Sequence, residues 1–202
     1  MGRPVASDEI PLQPQIAIEP FEKRVLDFVG TISPISNKKK SILVCTDYTT
    51  KWVEVKALYA CIENAVVEFL FEDIFTRFWV PCEIVNVQGT QFTSNFLKAL
   101  TEKYQVKHWK LTPYHHQANG QVESMSKVLE SILTKTIQLH HKDWAEKLPK
   151  ELWAYRITWR NVTRHTPYEL VYGEQVLLPI EFQVKTFRTA AQLRMNLNEA
   201  QE

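Results

Sequence analysis

The order of segments in this chain predicts an α/β domain built on a mixed sheet, with strands first and helices later. Three observations carry that expectation. Val25-Leu26-Asp27-Phe28-Val29 alternates with the two-residue period of a half-buried strand and ends at Gly30. Two more β-rich runs follow, Ile42 to Cys45 and Trp52 to Val55, with the turn Asn37 to Lys40 between the first and second. Beyond them, stretches with the 3.6-residue period of helices alternate with short apolar runs.

Each element can be justified in turn. The three opening strands are joined by short connections and predict an antiparallel meander. A helix is expected over about 62–78, with Val66, Phe69, Leu70 and Ile74 on one stripe. Glu83-Ile84-Val85 reads as a fourth strand ending at the turn Gln88-Gly89; a helix over 92–103 and a short strand over 106–111 follow. Residues 119–139 carry the clearest helical pattern: Val122, Met125, Leu129, Ile132, Leu133 and Thr136 share one face, while Glu123, Lys127, Glu130 and Thr134 lie opposite. A further helix is expected from about Asp143 to Trp159, interrupted at Pro149. Residues 1–20 read as an extended arm, 21–180 as the domain and 181–202 as a C-terminal extension.

Composition narrows the function classes. The chain has 202 residues, 45% hydrophobic and 23% charged, which describes a globular protein with one ordinary domain. Neither a membrane-spanning run nor a signal peptide is legible, so a nuclear or cytoplasmic location is expected. Cys45, Cys61 and Cys82 are odd in number and widely spaced, and are expected to be packing residues. With a net charge of only +1, any nucleic-acid binding must come from a local patch.

The chemistry-bearing positions are few. Asp27 lies mid-strand among apolar residues, where an isolated charge is costly to bury. Glu123 lies on the polar face of the long helix. Between them, at a strand end, stands Asn86-Val87-Gln88-Gly89. Acids from strand ends and a helix can converge on a divalent cation such as Mg²⁺, which takes oxygen ligands. Read singly, Asp27 is also a hydrogen-bonded strand residue and Glu123 a solvated helix residue.

Several ordered motifs go further: LDFVG, ILVCTDYTTKWVE, FWVPCEIV, VQGTQFTSNF, TPYHHQANGQVES and TPYELVYGEQVLLPIEF. Together they closely resemble the integrase of gypsy-type LTR retrotransposons, most like those of plants. The resemblance runs over nearly the whole chain. It implies an RNase H-like fold with a central mixed five-stranded sheet flanked by helices. It also implies membership of the Asp-Asp-Glu polynucleotidyl transferases, with Mg²⁺ or Mn²⁺ as cofactor and DNA as partner. A homodimer through the core is implied as well, with neither a membrane nor a small-molecule substrate as partner.

On that resemblance Asp27 is the first acid and metal ligand, and Glu123 the third. The second belongs where this chain has Val87, and 35 residues lie between Val87 and Glu123, as they do between the family's second and third acids. Valine offers no ligand atom. In the family the two aspartates share one ion, and the first aspartate and the glutamate share the other. The expectation is a DNA-binding chain impaired in strand transfer; the alternatives are a domesticated non-catalytic DNA-binding or assembly module and a non-functional retroelement remnant. Asn86 is a poor substitute because neighbouring strand residues face opposite ways, and Asp47, in DYTTKW, is assigned no catalytic role.

Other positions carry two readings each. Lys127 pairs with Glu123 at i, i+4, a weak surface ion pair; the resemblance adds a DNA phosphate contact. Gln117 and Asn119, with Gly120, read locally as a turn and helix start, and by resemblance as a loop that approaches DNA. His115 and His116 are expected to be structural or close to DNA. The lysines of Asn37 to Lys40 read as a solvated hairpin tip. Trp52, Trp109, Trp144, Trp153 and Trp159 are expected to anchor the core or a subunit interface, with base stacking as the lesser alternative. His116 stands where the family has proline and Trp79 where it has glycine, while Arg156 and Arg164 replace smaller polar or glycine positions. MGRP resembles the segment following the family's zinc-binding domain, so Met1 reads as an internal methionine, and the small C-terminal domain is expected to be missing.

Overall fold

The structure is a computed structural model that describes residues 19–59, 63–86, 92, 94–110 and 131–177. Its centre is a five-stranded sheet in the order β3-β2-β1-β4-β5. β1 (Lys23–Val29), β2 (Ser41–Asp47) and β3 (Val53–Leu58) form the antiparallel meander that short connections require. β4 (Glu83–Asn86) and β5 (Lys107–Lys110) add parallel to the other side of β1. A helix precedes each of them, as parallel crossovers demand.

The sheet is buried on both faces in its middle. One face presents Leu26, Leu43, Cys45 and Ile84 to a cluster with Val66, Phe69, Leu70 and Ile74, and with Leu97. The first four of these partners belong to α1, which runs through an α-helical stretch Glu63–Glu68, a π-helical stretch Phe69–Phe75 and a last turn Thr76–Phe78. Leu97 lies on α2 (Asn95–Lys103), which starts where Ser94 Oγ accepts from Leu97 N–H at 3.1 Å. Each such aliphatic or aromatic side chain contributes about 1.5–3 kcal/mol by leaving water. The alternate residues Val25, Ile42, Val44, Val53 and Val85 are buried on the other face.

Residues 131–140 form α3, with Leu133 and Thr136 buried as their spacing requires; the rest of the helical pattern read over 119–139 lies outside the described residues. α4 (Trp144–Ile157) follows a 3₁₀ turn, His141–Asp143. Contrary to the sequence expectation, Pro149 does not interrupt it. The buried side chains Trp144 and Leu148, with Trp144 Nε1 donating to Pro34 O at 2.9 Å, anchor the N-terminal half against the cost of the missing hydrogen bond.

The chain divides into two compact units, Met1–Leu152 and Trp153–Glu202. In the second, α5 (Pro167–Tyr172) was not foreseen, although its signal is explicit in TPYELVYG. Thr166 and Glu169 form a reciprocal capping box, Pro167 opens the helix, and Gly173 ends it at φ 74°. The Thr166 backbone N–H holds the Glu169 carboxyl below its ordinary range.

Several burial expectations are corrected. Trp52 and Trp144 are buried as expected, but Trp109, Trp153 and Trp159 are exposed and do not anchor the core. Cys45 is buried, and burial pushes its thiol up to about 11, which keeps it inert at neutral pH. Cys82 is exposed instead of packed; Cys61 lies outside the described residues. The Asn37 to Lys40 segment is a hairpin tip as expected, with Asn37 and Lys38 both left-handed at φ 45° and 62° and a Ser36↔Lys39 bridge.

Two of the departures from the resembled family acquire a physical meaning. Trp79 has φ 70° and ψ 163°, a region that essentially only glycine adopts without strain, and Arg164 has φ 54°. By the resemblance, Trp79 replaces a glycine and Arg164 a smaller polar residue or glycine.

Candidate functional site

Asp27 sits in the second half of β1, the central strand of the sheet. It is half-buried, pairs with Val44 of β2, and its Oδ1 accepts a hydrogen bond from the Phe28 backbone N–H at 2.8 Å. The β1–β4 pairing is described as far as Leu26↔Asn86, and Asp27 and Val87 are each the next residue along their chain segment. The sheet order thus brings together two segments some sixty residues apart, the last residue of β4 lying beside the middle of β1.

Asn86 shares a row with Leu26 and is 2% exposed. Strand alternation therefore sets it on the face opposite Asp27, as the sequence expects. Its Oδ1 lies 2.9 Å from His108 Nε2 on β5, so Asn86 already has a partner of its own. His108 was missed by sequence reasoning; alternation along β5 sets it in the Ile84 row, on the Asn86 side. Burial first, and then the Lys110 charge, hold the His108 imidazole below its ordinary value.

The other acid near the sheet centre has a different occupation. Asp47 is fully buried at the end of β2, where Oδ1 accepts from Phe21 N–H at 2.8 Å. Its Oδ2 accepts from both the N–H and the hydroxyl of Thr50 at 2.7 Å. Those bonds build the turn into β3. Arg24, also fully buried, lies 4.9 Å and 5.1 Å from the Phe21 and Phe78 ring centroids. Its row pairs with Asp47, on the face opposite Asp27.

The remaining site residues proposed from sequence, Gln117, Asn119, Glu123 and Lys127, lie outside the described residues, as do Val87, His115 and His116. Among the described residues no three His, Cys, Asp or Glu side chains group as a metal site would. The donor set can still be tested against the two-ion arrangement of the resembled family. Asp27 and Glu123 supply carboxylates, and the position between them supplies a hydrocarbon. By residue type alone, Asp27 and Glu123 offer oxygen ligands to a divalent cation and Val87 offers none.

A central mixed sheet with this strand order, flanked by helices, defines the class: an RNase H-like domain of the integrase catalytic-core type. Known proteins agree. The catalytic core domain of BIV integrase superposes with a TM-score of 0.58 at 19% identity, over 74% of this chain and 93% of that one. A chain of the simian T-cell lymphotropic virus intasome, solved in complex with the PP2A regulatory subunit B56 gamma, gives 0.62 at 15% identity, over 79% and 57%. In sequence, the Pro-Pol polyprotein of simian foamy virus type 3 (strain LK3) is 29% identical over 162 residues, 80% of this chain and 14% of the polyprotein. The Pol polyprotein of feline endogenous virus ECE1 is 35% identical over 136 residues, 66% and 13%. No protein-family model matches. The chain is a homologue of a segment of retroviral Pol polyproteins and carries the integrase core fold. It spans 13–14% of the length of these curated relatives. Among the described residues, no helix is long and apolar enough to cross a membrane.

Proposed function

We propose that the chain is the catalytic-core domain of a gypsy-type LTR-retrotransposon integrase, binding DNA and impaired in strand transfer by Val87. The carrying observation is the end of the β1–β4 pairing, where Asp27 and Val87 follow directly on Leu26 and Asn86. In this reading Asp27 and Glu123 would hold a Mg²⁺ or Mn²⁺ ion, with DNA as the substrate that meets it. Bound there, such an ion would polarise a phosphate oxygen. The chain's own part is to hold Asp27 rigidly on a central strand, with its carboxylate tethered to the Phe28 N–H. Lys127, Gln117 and Asn119 would contact DNA phosphate and the DNA end. Self-association through the core belongs to the same reading, as does a nuclear or cytoplasmic location.

Strand-transfer and disintegration assays in Mn²⁺ test this reading. The wild-type chain is expected to be inert and Val87→Asp to gain turnover. Robust turnover by the wild type would refute the impairment.

A second reading, a decayed remnant, draws support from Trp79. A tryptophan 84% exposed in a glycine-only backbone conformation carries strain with no packing in return. Inertness of both the wild type and Val87→Asp, in chains that melt cooperatively, would favour it.

A further inference from the structure

From the hairpin tip in the second unit we infer a binding site for single-stranded nucleic acid, built on Trp159, His165 and Arg164. Residues 152–168 contain Arg156, Arg160 and Arg164 and no Asp or Glu, in a chain whose net charge is only +1. A local excess of that kind is the electrostatic footprint of a polyanion partner.

The structure turns this composition into a shaped surface. Past the end of α4 the chain folds back on itself through an Arg160↔His165 bridge. Arg160 N–H donates to His165 O at 3.1 Å, and Arg164 N–H donates to Arg160 O at 2.8 Å. Arg160 holds the base of the tip: its guanidinium lies 3.9 Å over the Tyr155 ring and donates to Tyr155 O at 3.1 Å. Its charge stays in place while its geometry is spent on structure.

The outer residues are different. The Trp159 ring stacks on the His165 ring, 28° from parallel with centroids 6.2 Å apart, and Trp159 is 56% exposed. His165 in turn is oriented by Nδ1, 3.0 Å from Thr163 O. A flat aromatic surface supported from below and open above is what a nucleobase stacks on. Arg164 beside it is exposed and has no ion-pair partner among the described residues. It occupies a left-handed backbone position (φ 54°) that asparagine or glycine would fill with less strain. A long cation kept at that position, next to an exposed ring pair, suits a phosphate one nucleotide from a stacked base, while the nearby Glu169 carboxyl is held by Thr166. Bases pressed on an aromatic platform must be unpaired, so the ligand is a single strand and not a duplex.

The site needs no metal, so its test is independent of the reading of the sheet. The full chain is titrated in EDTA with fluorescein-labelled oligo-dT, with an abasic strand of the same length, and with a duplex, each followed by anisotropy. Trp159→Ala is expected to weaken oligo-dT binding about tenfold, with Trp159→Phe restoring most of it and the abasic strand unaffected. Arg164→Ala and Arg164→Gly should each lower the slope of log affinity against log salt by about 0.7, and the glycine variant keeps the backbone at ease. Thermal melts confirm that each variant is folded. Unchanged oligo-dT affinity in both Trp159→Ala and Arg164→Gly would overturn the site. So would an equal loss on the abasic strand or the duplex, since phosphate contact without stacking is a different site. Arg164-dependent binding to phosphatidylserine vesicles with oligo-dT binding intact would also overturn it.

Discussion

Two aspartates on neighbouring strands show how one residue type is put to opposite uses. Asp47 ends β2 fully buried, and three donors from Phe21 and Thr50 consume its oxygens. Asp27 lies on the other face of the sheet, half-buried, and among the described residues it accepts one hydrogen bond, from the N–H of the next residue. A carboxylate saturated by backbone and hydroxyl donors holds a turn together. One that is tethered at a single oxygen and reaches solvent can serve a ligand. Sequence context makes both look alike, since each lies in a β-rich run.

The sharpest test of the comparison places at position 87 the aspartate that the proposed function calls for. Val87→Asp should raise Mn²⁺-dependent strand transfer by about 10³-fold, the rate equivalent of a metal contact worth several kcal/mol. Asp27→Asn in that background should return activity to baseline without moving the melting temperature. A melting shift of several degrees on Asp27→Asn would show that Asp27, too, is structural.

Asp47→Ala should do the reverse. It strands buried donors on Phe21 and Thr50, costing about 3 kcal/mol. In a chain of this size that lowers the melting temperature by roughly 6–12 °C. If calorimetry finds no loss, the turn does not depend on the carboxylate and the contrast fails.

Smaller effects lie away from the two acids. Trp79→Gly removes a strain of about 1–3 kcal/mol at φ 70°, ψ 163°, less about 0.5–1 kcal/mol for the extra freedom of unfolded glycine. A net gain of about 1 kcal/mol in urea unfolding is expected; a destabilised Trp79→Gly would mean that the ring makes a contact that matters.

The smallest effect is a pH slope. Because burial and Lys110 depress His108 below the ordinary imidazole value of 6.5, the unfolded state binds its proton first as pH falls. Stability from this group is complete above 6.5 and declines as pH falls toward the folded value. His108→Gln, which can keep a hydrogen bond to Asn86, should flatten melting temperature against pH between about 5 and 7. An unaltered slope would rule His108 out as its source.

Much of the fold was legible because its signals are local. Alternation in 25–29 and the short connections after it predict β1 to β3, and the Leu133/Thr136 spacing predicts the buried side of α3. Local rules also misled where burial overrode them. Pro149 reads as a break, yet the packing of Trp144 and Leu148 carries α4 through it. Five tryptophans read as core or subunit-interface anchors; Trp52 and Trp144 take the core, and Trp109, Trp153 and Trp159 lie outside it, because hydrophobicity states a preference and not a position. Of the candidate site, Asp27 alone falls among the described residues, at the place on β1 that its strand pattern implies.

That Val87 offers no ligand atom, with 35 residues between it and Glu123, is a property of the sequence by itself: side-chain chemistry and spacing need no coordinates. Tertiary structure decided the rest. It set β4 beside β1, turned Asn86 away to His108, and separated the saturated Asp47 from the tethered Asp27. It also revealed that Trp79 and Arg164 sit on left-handed backbone. Periodicity and turn chemistry are encoded within a few residues. Strand order, burial and the sharing of donors depend on segments distant in the chain, and only the folded chain brings those together.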